Sequence, residues 1–541
     1  MLIMKFGGSS VATPGRVKHV IGIIEGRQAK HGSIVAIFSA FQGVTDQLIQ
    51  LSKQAAAGDK TYLKGLRSLK ERHRAALAEL VPQRRRKSHE AAINHLLNDL
   101  TDVLHGVSFT RELTTRMLDY VMSFGELLSN TIIAAGARER GVKCEYTDSR
   151  QLIKTDDTFG MARVKYDLTY HTIRNHFRRR KGVHIVTGFI ASTTDNDTTT
   201  LGRGGSDFTA SILGAALNAQ EIEIWTDVDG VNTADPRKVP QAFPILEMSY
   251  VEAMEMSHFG AKVIHPPTMQ PAMDAEIPIR IKNTFNPEFP GTLISSDSGK
   301  GKFAVKGISS IDEIVLLRIQ GGGLVGIAGL GKRIFTALAA GKINVFIVTQ
   351  ASSEYSLCLA VAPGDAEPAR ILIEEELRFE ILDHRVEKVI LERDLSVVAV
   401  VGENMRRTTG VSGKLFQALG KNGINVVAIA QGSSELNIST VIGRADVSKA
   451  LNALHESFFL SGTKSLNVFL VGVGVVGGRL LDQILEQRDF LLKTQELDVR
   501  VRAVANSRSM VFDQRGSLPF QWRKRLATDG VPMTIASFIE Q

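Results

Sequence analysis

A chain of 541 residues with 43% hydrophobic and 23% charged side chains is too long for a single core and implies about two to four globular domains. Its net charge of +8 gathers in Arg84-Arg85-Arg86-Lys87 and Arg178-Arg179-Arg180-Lys181; neither run is interleaved with aromatics, so both read as solvated helix faces and no nucleic-acid partner is expected. No apolar run reaches the ~18 to 20 residues that cross a bilayer, no leader precedes Lys5, and the two cysteines, Cys144 and Cys358, make neither a disulfide framework nor a metal quartet, which points to a reducing cytoplasm and no membrane contact.

In chain order, the apolar run Leu2–Phe6 reads as a buried strand that empties into Gly7-Gly8-Ser9-Ser10, and Thr13-Pro14 starts a helix. Two readings stand for this turn. It is either a plain strand-to-helix connection, or a cradle in which Lys5 and backbone N–H groups face an anion. A second strand is expected over Ser33–Phe38. Residues 60–122 read as helical throughout, an excursion from the sheet. Further strands are expected at Val183–Thr187, Ile222–Thr226 and Ile279–Ile281, and their alternation with amphipathic segments predicts a mostly parallel sheet with helices on both faces. Between them, Leu201-Gly-Arg-Gly-Gly-Ser-Asp207 precedes a helix that Ser206 or Asp207 can cap; Arg203 among Gly202, Gly204 and Gly205 can also surround a carboxylate or phosphate. Thr226 and Asp227 fall at a strand's carboxyl end, the edge where open α/β sheets place ligands. Asp229-Gly230 and Asp235-Pro236 mark turns. Lys262 follows within Phe259-Gly-Ala-Lys-Val-Ile-His-Pro266, where His265 reads as structural, since no second ligand residue stands at metal spacing.

Composition shifts after Pro290-Gly291, and residues 295–306 read as a linker. Beyond it lies an internal repeat at a constant offset of 81, which relates Phe335 to Phe416, Asn344 to Asn425 and Gln350 to Gln431. Two α+β modules are expected, 307–390 and 391–462. In the last segment, 463–541, Gly472-x-Gly474-x-x-Gly477 sits between a strand at Val468–Val471 and a helix at Gly478–Gln487, the context of a dinucleotide phosphate loop. A further strand, Val499–Ala505, ends in Asn506-Ser507-Arg508 with no acidic residue, which leans toward NADP.

Five ordered segments, KFGGSS (5–10), SFGELLS (123–129), LGRGGSD (201–207), TDVDGVNTADPR (226–237) and FGAKVIHP (259–266), resemble the aspartokinases of the amino-acid kinase family over about 300 residues. The repeats are similar to the regulatory ACT domains that follow such a kinase. The C-terminal fingerprint is similar to the start of homoserine dehydrogenase in the bifunctional aspartokinase–homoserine dehydrogenases. The resemblance implies an α/β three-layer sandwich over 1–294, two ACT-like domains and an incomplete Rossmann segment. It implies an ATP- and Mg²⁺-dependent transfer to the β-carboxylate of L-aspartate, with no metal held by protein ligands alone. Lys5 and Asp207 are the implied catalytic pair. Ser39, Thr45, Glu126 and Arg203 are implied to bind aspartate, Glu126 at its ammonium and Arg203 at its α-carboxylate. Gly7, Gly8, Ser9, Ser206, Thr226, Asp227, Asn232, Arg237 and Lys262 are implied around the nucleotide, Asn232 standing where some members carry an aromatic residue. Asn344, Gln350, Asn425 and Gln431 are the implied effector contacts, for threonine or else lysine, although each can equally satisfy loop backbone. Gly472, Gly474, Gly477 and Arg508 form a remnant NADP site; only 75 residues follow Leu466, so no dehydrogenase activity is expected of this chain. The family implies a homodimer or homotetramer. A kinase for another acidic amino acid and a non-catalytic amino-acid sensor are the rival readings; intact Lys5, Arg203, Asp207 and Lys262 favour the enzyme.

Overall fold

Leu2, Ile3, Met4 and Phe6 are all buried in the computed structural model, so the apolar run that opens the sequence becomes an interior strand, β1 (Leu2–Phe6). The structure describes residues 1–259, 265–297, 304–322, 329–350, 355–432, 436–460, 464–495, 497–513 and 522–540. They form two compact units, residues 1–412 with 424–451, and residues 413–423 with 452–541.

In the first unit the other strands before residue 300 are β2 (Ile34–Phe38), β3 (Cys144–Thr147), β4 (Lys154–Thr155), β5 (Val183–Thr187), β6 (Ile190–Thr193), β7 (Thr198–Thr200), β8 (Glu221–Thr226), β9 (Glu247–Ser249), β10 (Ile279–Asn283) and β11 (Thr292–Ser295). Eight of them make one sheet in the order β3-β5-β2-β1-β8-β10-β11-β9, in which β1 pairs in parallel with β2 and β8. Only the β10–β11 pairing is antiparallel. The helices are α1 (Pro14–His31), α2 (Val44–Ala57), α3 (Tyr62–Leu80), α4 (Gln83–Thr110), α5 (Thr115–Glu139), α6 (Tyr166–Phe177), α7 (Gly205–Leu217), α8 (Tyr250–His258) and α9 (Gln270–Asp274). The first five cover one sheet face and the last four the other. Strands buried on both faces read as unbroken apolar runs, which is why they were visible in the sequence. The two-residue period turns Met4 and Phe6 toward the first layer, and Ile3 and Lys5 toward the second.

The expected helical excursion over 60–122 is interrupted twice. Pro82 follows the extended Val81 and separates α3 from α4, because proline cannot continue the α3 hydrogen-bond ladder. Arg111 closes α4 in the left-handed region, and the Thr114 hydroxyl accepts from Met117 N at 3.2 Å to cap α5. These helices are the thick outer layer of the sandwich, with Leu69, Leu97, Leu100 and Leu104 fully buried.

The expected linker 295–306 holds more structure than its composition suggests where it is described. Val305 and Lys306 are buried, and Lys306 N donates to Val401 O at 2.7 Å. Beyond it, the repeats contribute β12 (Gly307–Gln320), β13 (Val345–Gln350) and β14 (Ser356–Val361), then β15 (Ile390–Val401), β16 (Val426–Gln431) and β17 (Asn437–Gly443). They do not form separate sheets. All six join one antiparallel sheet, β13-β14-β12-β15-β17-β16, with the first strand of each repeat at its centre. The offset of 81 carries β13 onto β16 residue for residue.

The second unit contains β18 (Lys464–Val471), a long helix α15 (Val475–Gln495) and β19 (Leu497–Ala505), with β18 and β19 parallel, then β20 (Ser509–Phe512) and β21 (Val531–Pro532). The remaining helices are α10 (Leu330–Ala340), α11 (Ala366–Glu376), α12 (Arg378–Leu382), α13 (Val411–Lys421), α14 (Val447–His455), α16 (Trp522–Thr528) and α17 (Ile535–Glu540). Among the described residues no helix is long and apolar enough to cross a membrane.

Since Leu97 is fully buried in the layer that carries α5, Leu97→Ala should destabilise the first unit by about 2–5 kcal/mol, read as a lower thermal-unfolding midpoint. An unshifted midpoint would mean that α4 does not stabilise the sandwich.

Candidate active site

β1, β2, β5 and β8 run in the same direction and end at Phe6, Phe38, Thr187 and Thr226, so the loops that follow them share one edge of the sheet. Lys5 is the penultimate residue of β1. Its Nζ lies 2.6 Å from Oδ1 of Asp207, and both side chains are only about one-eighth exposed. Asp207 stands in the first turn of α7, where the helix N-terminus favours a negative charge. The next loop residue, Gly7, donates its N–H to Trp225 O at 3.3 Å and lies beside the ammonium, since a Cβ there would sit 3.7 Å from Lys5 Nζ. Gly8 approaches the Ala40 carbonyl more closely still, a Cβ there lying 3.0 Å from the oxygen, so the loops after β1 and β2 touch. Arg16 Nη1 donates to Ser9 O at 2.7 Å, and the Ser10 hydroxyl meets Thr284 Oγ1 at 2.7 Å. The floor beneath is fixed by Glu223, which accepts from Trp225 Nε1 at 2.9 Å and pairs with Arg27 at 2.8 Å.

From β2, Ser39 Oγ donates to Ser206 Oγ at 2.9 Å and so ties this loop to the start of α7. Ala40 N donates to Glu126 Oε1 at 3.1 Å. Two further α5 side chains hold the same corner, with Ser129 Oγ donating to Ser39 O and Asn130 Nδ2 to Phe38 O. Glu126 is 2% exposed and its other oxygen, Oε2, has no hydrogen-bond partner. Burial of this half-satisfied carboxylate pushes its pKa up to about 8, against which the Ala40 N–H acts. It is a buried acid with one oxygen left to bind something positive. Thr45 lies half-buried in the first turn of α2.

Arg203 is exposed on the glycine loop between β7 and α7. Its neighbour Gly204 has φ of 71° and leaves no room for a side chain, since a Cβ would lie 2.9 Å from that of His265. His265 is thus a packing partner of the loop, as its sequence context suggested; burial and the nearby Arg203 charge lower its pKa while Asp207 opposes them. Lys262 lies outside the described residues. Thr226 donates its hydroxyl to Asp227 Oδ1 at 3.1 Å on the same edge. Asn232 and Arg237 stand farther along the segment after β8, and the Arg237 guanidinium forks onto Asp235 at 3.0 and 2.8 Å while remaining 82% exposed. It is not brought to the Lys5–Asp207 pair. No group of three or more His, Cys, Asp or Glu among the described residues is placed to hold a metal.

Two residues escaped the sequence reading. Phe189 occupies the left-handed region at φ 67°, held by Thr209 Oγ1 accepting from its N–H at 3.1 Å. Asp119 is a fully buried carboxylate on α5 whose oxygens accept from Gly160 N, Thr200 N and Thr200 Oγ1. Its signal was available: an isolated acid in an apolar helix, seven residues before Glu126 and therefore on the same face.

In the repeats, Gln350 and Gln431 end β13 and β16 and line one cavity of about 560 Å³. Asn437 and Ser439 join them, as do Glu255, His258 and Phe259 from the end of α8. Asn437 Nδ2 donates to Glu255 Oε2 at 2.6 Å. Asn344 and Asn425 are not among the lining residues. In the second unit Gly472 has φ of 101°, and a Cβ on Gly477 would meet its carbonyl at 2.0 Å, so this turn requires glycine at both places. Gly474 accepts from Gly478 N in the first turn of α15, and Arg508 is exposed.

The amino acid kinase family profile matches residues 1–283, and the ACT domain profile matches 317–377 and 398–458. The chain is 36% identical, over 99% of its length, to the chloroplastic bifunctional aspartokinase/homoserine dehydrogenase 1 of Arabidopsis thaliana, and it spans 60% of that relative. It is 35% identical over 86% of its length to the chloroplastic aspartokinase 1 of the same organism, covering 81% of it. The structure of E. coli aspartokinase III in complex with aspartate and ADP superposes with a TM-score of 0.72 at 28% identity, covering 85% of this chain and all of that one.

The raised pKa of Glu126 has a defined sign. Its protonated form stabilises the fold fully below its ordinary value of 4.5, and that contribution is lost as pH rises through about 8. Glu126→Gln keeps the acceptor for Ala40 N–H and removes the titration. Ligand-free thermal melts from pH 5 to 9 should show the variant gaining about 1–3 kcal/mol on the parent across that range; parallel profiles would show that Glu126 is solvated or paired.

Proposed function

Because the chain belongs to the aspartokinases of the amino acid kinase family, we propose that it transfers the γ-phosphoryl group of ATP to the β-carboxylate of L-aspartate, yielding 4-phospho-L-aspartate and ADP. The observation that carries this reading is the buried, half-unpaired carboxylate of Glu126 at the same sheet edge as the Lys5–Asp207 pair. A free amino acid supplies the missing partner: its α-ammonium takes Glu126 Oε2 and draws the acid into its ionised form. Arg203, on the glycine loop, takes the α-carboxylate as a planar fork. An N-acylated substrate has no cation for Glu126, so the site favours the free amino acid.

The nucleophile needs no general base, since a β-carboxylate with a pKa near ~4 is already ionised. The obstacle is repulsion between that anion and the triphosphate, so the chain's work is positioning and positive charge. Lys5 Nζ, held on its strand by Asp207, faces the transferring phosphoryl group, with the backbone of Gly7, Gly8 and Ser9 and the Ser206 hydroxyl around it. Thr226, Asp227, Asn232 and Arg237 extend the nucleotide side, and Lys262, outside the described residues, keeps the nucleotide role that its motif implies. For Arg237 this requires release from Asp235. Mg²⁺ would supply further charge neutralisation on the triphosphate, and Asp207 is the carboxylate that would help to hold it.

Regulation is read from the cavity between the repeats. Gln350 and Gln431 offer amide donors and acceptors to a small amino acid, threonine first and lysine second, with Asn344 and Asn425 at the outer strand ends. α8 touches this cavity through Glu255 and His258, and His265 packs on Gly204. An effector that binds one placement of α8 more tightly than another would shift the kinase population accordingly. Gly472, Gly474, Gly477 and Arg508 fit a dinucleotide phosphate turn with NADP preference, but homoserine oxidation is not proposed for these 541 residues. Assembly into a homodimer or homotetramer is part of the proposal.

Release of ADP should require aspartate and fail with glutamate and N-acetylglutamate; absence of aspartate-dependent release overturns the reaction. Lys5→Met should lower kcat by about 10²–10⁴-fold, and a smaller loss would remove Lys5 from the phosphoryl site. Gln431→Ala should raise the inhibitory effector concentration about tenfold with maximal rate within about twofold, and an unchanged inhibition curve counts against this cavity.

A further inference from the structure

Asp119 lies two helical turns before Glu126 on α5, fully buried, and three donors converge on it. Gly160 N and Thr200 N reach Oδ2 at 2.9 and 3.0 Å, and Thr200 Oγ1 reaches Oδ1 at 2.8 Å. Burial raises its pKa and these hydrogen bonds work against it; among the described residues no cation offsets the charge. A carboxylate is costly in such a place; an amide could keep both N–H bonds on one oxygen and turn its own donor onto the Thr200 hydroxyl, so only removal of the side chain frees all three groups.

The three donors belong to two segments that meet at the glycine loop. Thr200 is the last residue of β7, and Leu201-Gly202-Arg203 follow directly. Thr200 O accepts from Ala162 N at 3.0 Å, which locks this strand end to the 160–162 segment. Gly202, at φ 74°, packs so closely on that segment that a Cβ would lie 3.1 Å from Met161 Cγ and 3.5 Å from Gly160 O. Asp119 therefore fixes both sides of the base from which Arg203 projects. Seven residues of helix set Asp119 about 10 Å along the axis from Glu126. The same rigid element thus presents one acid to the ligand directly and anchors the opposing arginine through the other.

We infer that Asp119 is a positioning residue for substrate selection: through Thr200 and Gly160 it sets the separation between the Arg203 guanidinium and the Glu126 carboxylate, and so the fit to the α-carboxylate and α-ammonium of a free amino acid. This rests on the aspartate reading of the site. It predicts a defect felt mainly by the amino-acid substrate, because Thr200 and Gly160 hold the Arg203 end of the glycine loop, whereas the Ser206 end is tied separately to Ser39.

The test uses the full chain and four variants: Asp119→Ala, Thr200→Val, Arg203→Ala and the Asp119→Ala/Arg203→Ala double. Asp119→Ala should raise KM for aspartate about tenfold or more while KM for ATP stays within about twofold; Thr200→Val, which loses only the hydroxyl donor, should give a smaller change in the same direction. In the Arg203→Ala background Asp119→Ala should add less than about twofold, because its effect passes through the missing guanidinium. Calorimetric titration with aspartate should reproduce the order of affinities without turnover. Equal rises in both KM values, multiplicative effects in the double variant, or an unchanged KM for aspartate in Thr200→Val each overturn the inference. If Asp119→Ala does not fold, Thr200→Val decides the matter. A parent chain that turns over aspartate with unaffected variants sinks this inference alone, whereas a parent that neither binds nor phosphorylates aspartate sinks the reaction and the inference together.

Discussion

A lysine near the end of a central strand and an aspartate in the first turn of a distant helix meet at 2.6 Å, largely out of water. Desolvation makes such a pair a poor source of net stability. It is tolerated because the strand is immobilised by parallel neighbours on both sides and the helix start is pinned by Ser206 on Ser39. Every other functional placement follows from that convergence. The loop after β1 lies against the ammonium, the loop after β2 lies against the first loop, and the glycine loop leads into the helix that carries the aspartate.

α5 plays the complementary part on the other side of the site. It is a long apolar helix packed into the outer layer, yet it places Asp119, Glu126, Ser129 and Asn130 toward the loops at the sheet edge. Each of these side chains holds a specific backbone group, and two buried oxygens on that face, Glu126 Oε2 and Asn130 Oδ1, have no hydrogen-bond partner. Of the two only Glu126 Oε2 belongs to a carboxyl group, so it is the one that a cationic ligand group would satisfy in the proposed reading.

The regulatory half follows a different logic. Two repeats of the same motif share one sheet because each offers its first strand as an edge to the other, so covering both edges is more favourable than exposing them. This arrangement brings two equivalent glutamines to one cavity, and the end of α8 completes its wall.

The sequence by itself determined the strands, the glycine turns and the repeat, because periodicity and glycine placement are local properties of the chain; that Lys5, Arg203, Asp207 and Glu126 serve one site is what the resemblance to the aspartokinases implies. The sequence also made His265 legible as structural. Helix limits around Pro82 and Arg111 were misjudged, since apolar spacing on either side of these breaks continues without interruption. Only the tertiary structure decided that Glu126 is half-unpaired, that Asp119 clamps Thr200, that Arg237 is held by Asp235, and that the two repeats fuse into one sheet. Those facts depend on which side chains and edges, far apart in sequence, come within hydrogen-bonding distance once the layers close, and no local pattern encodes that.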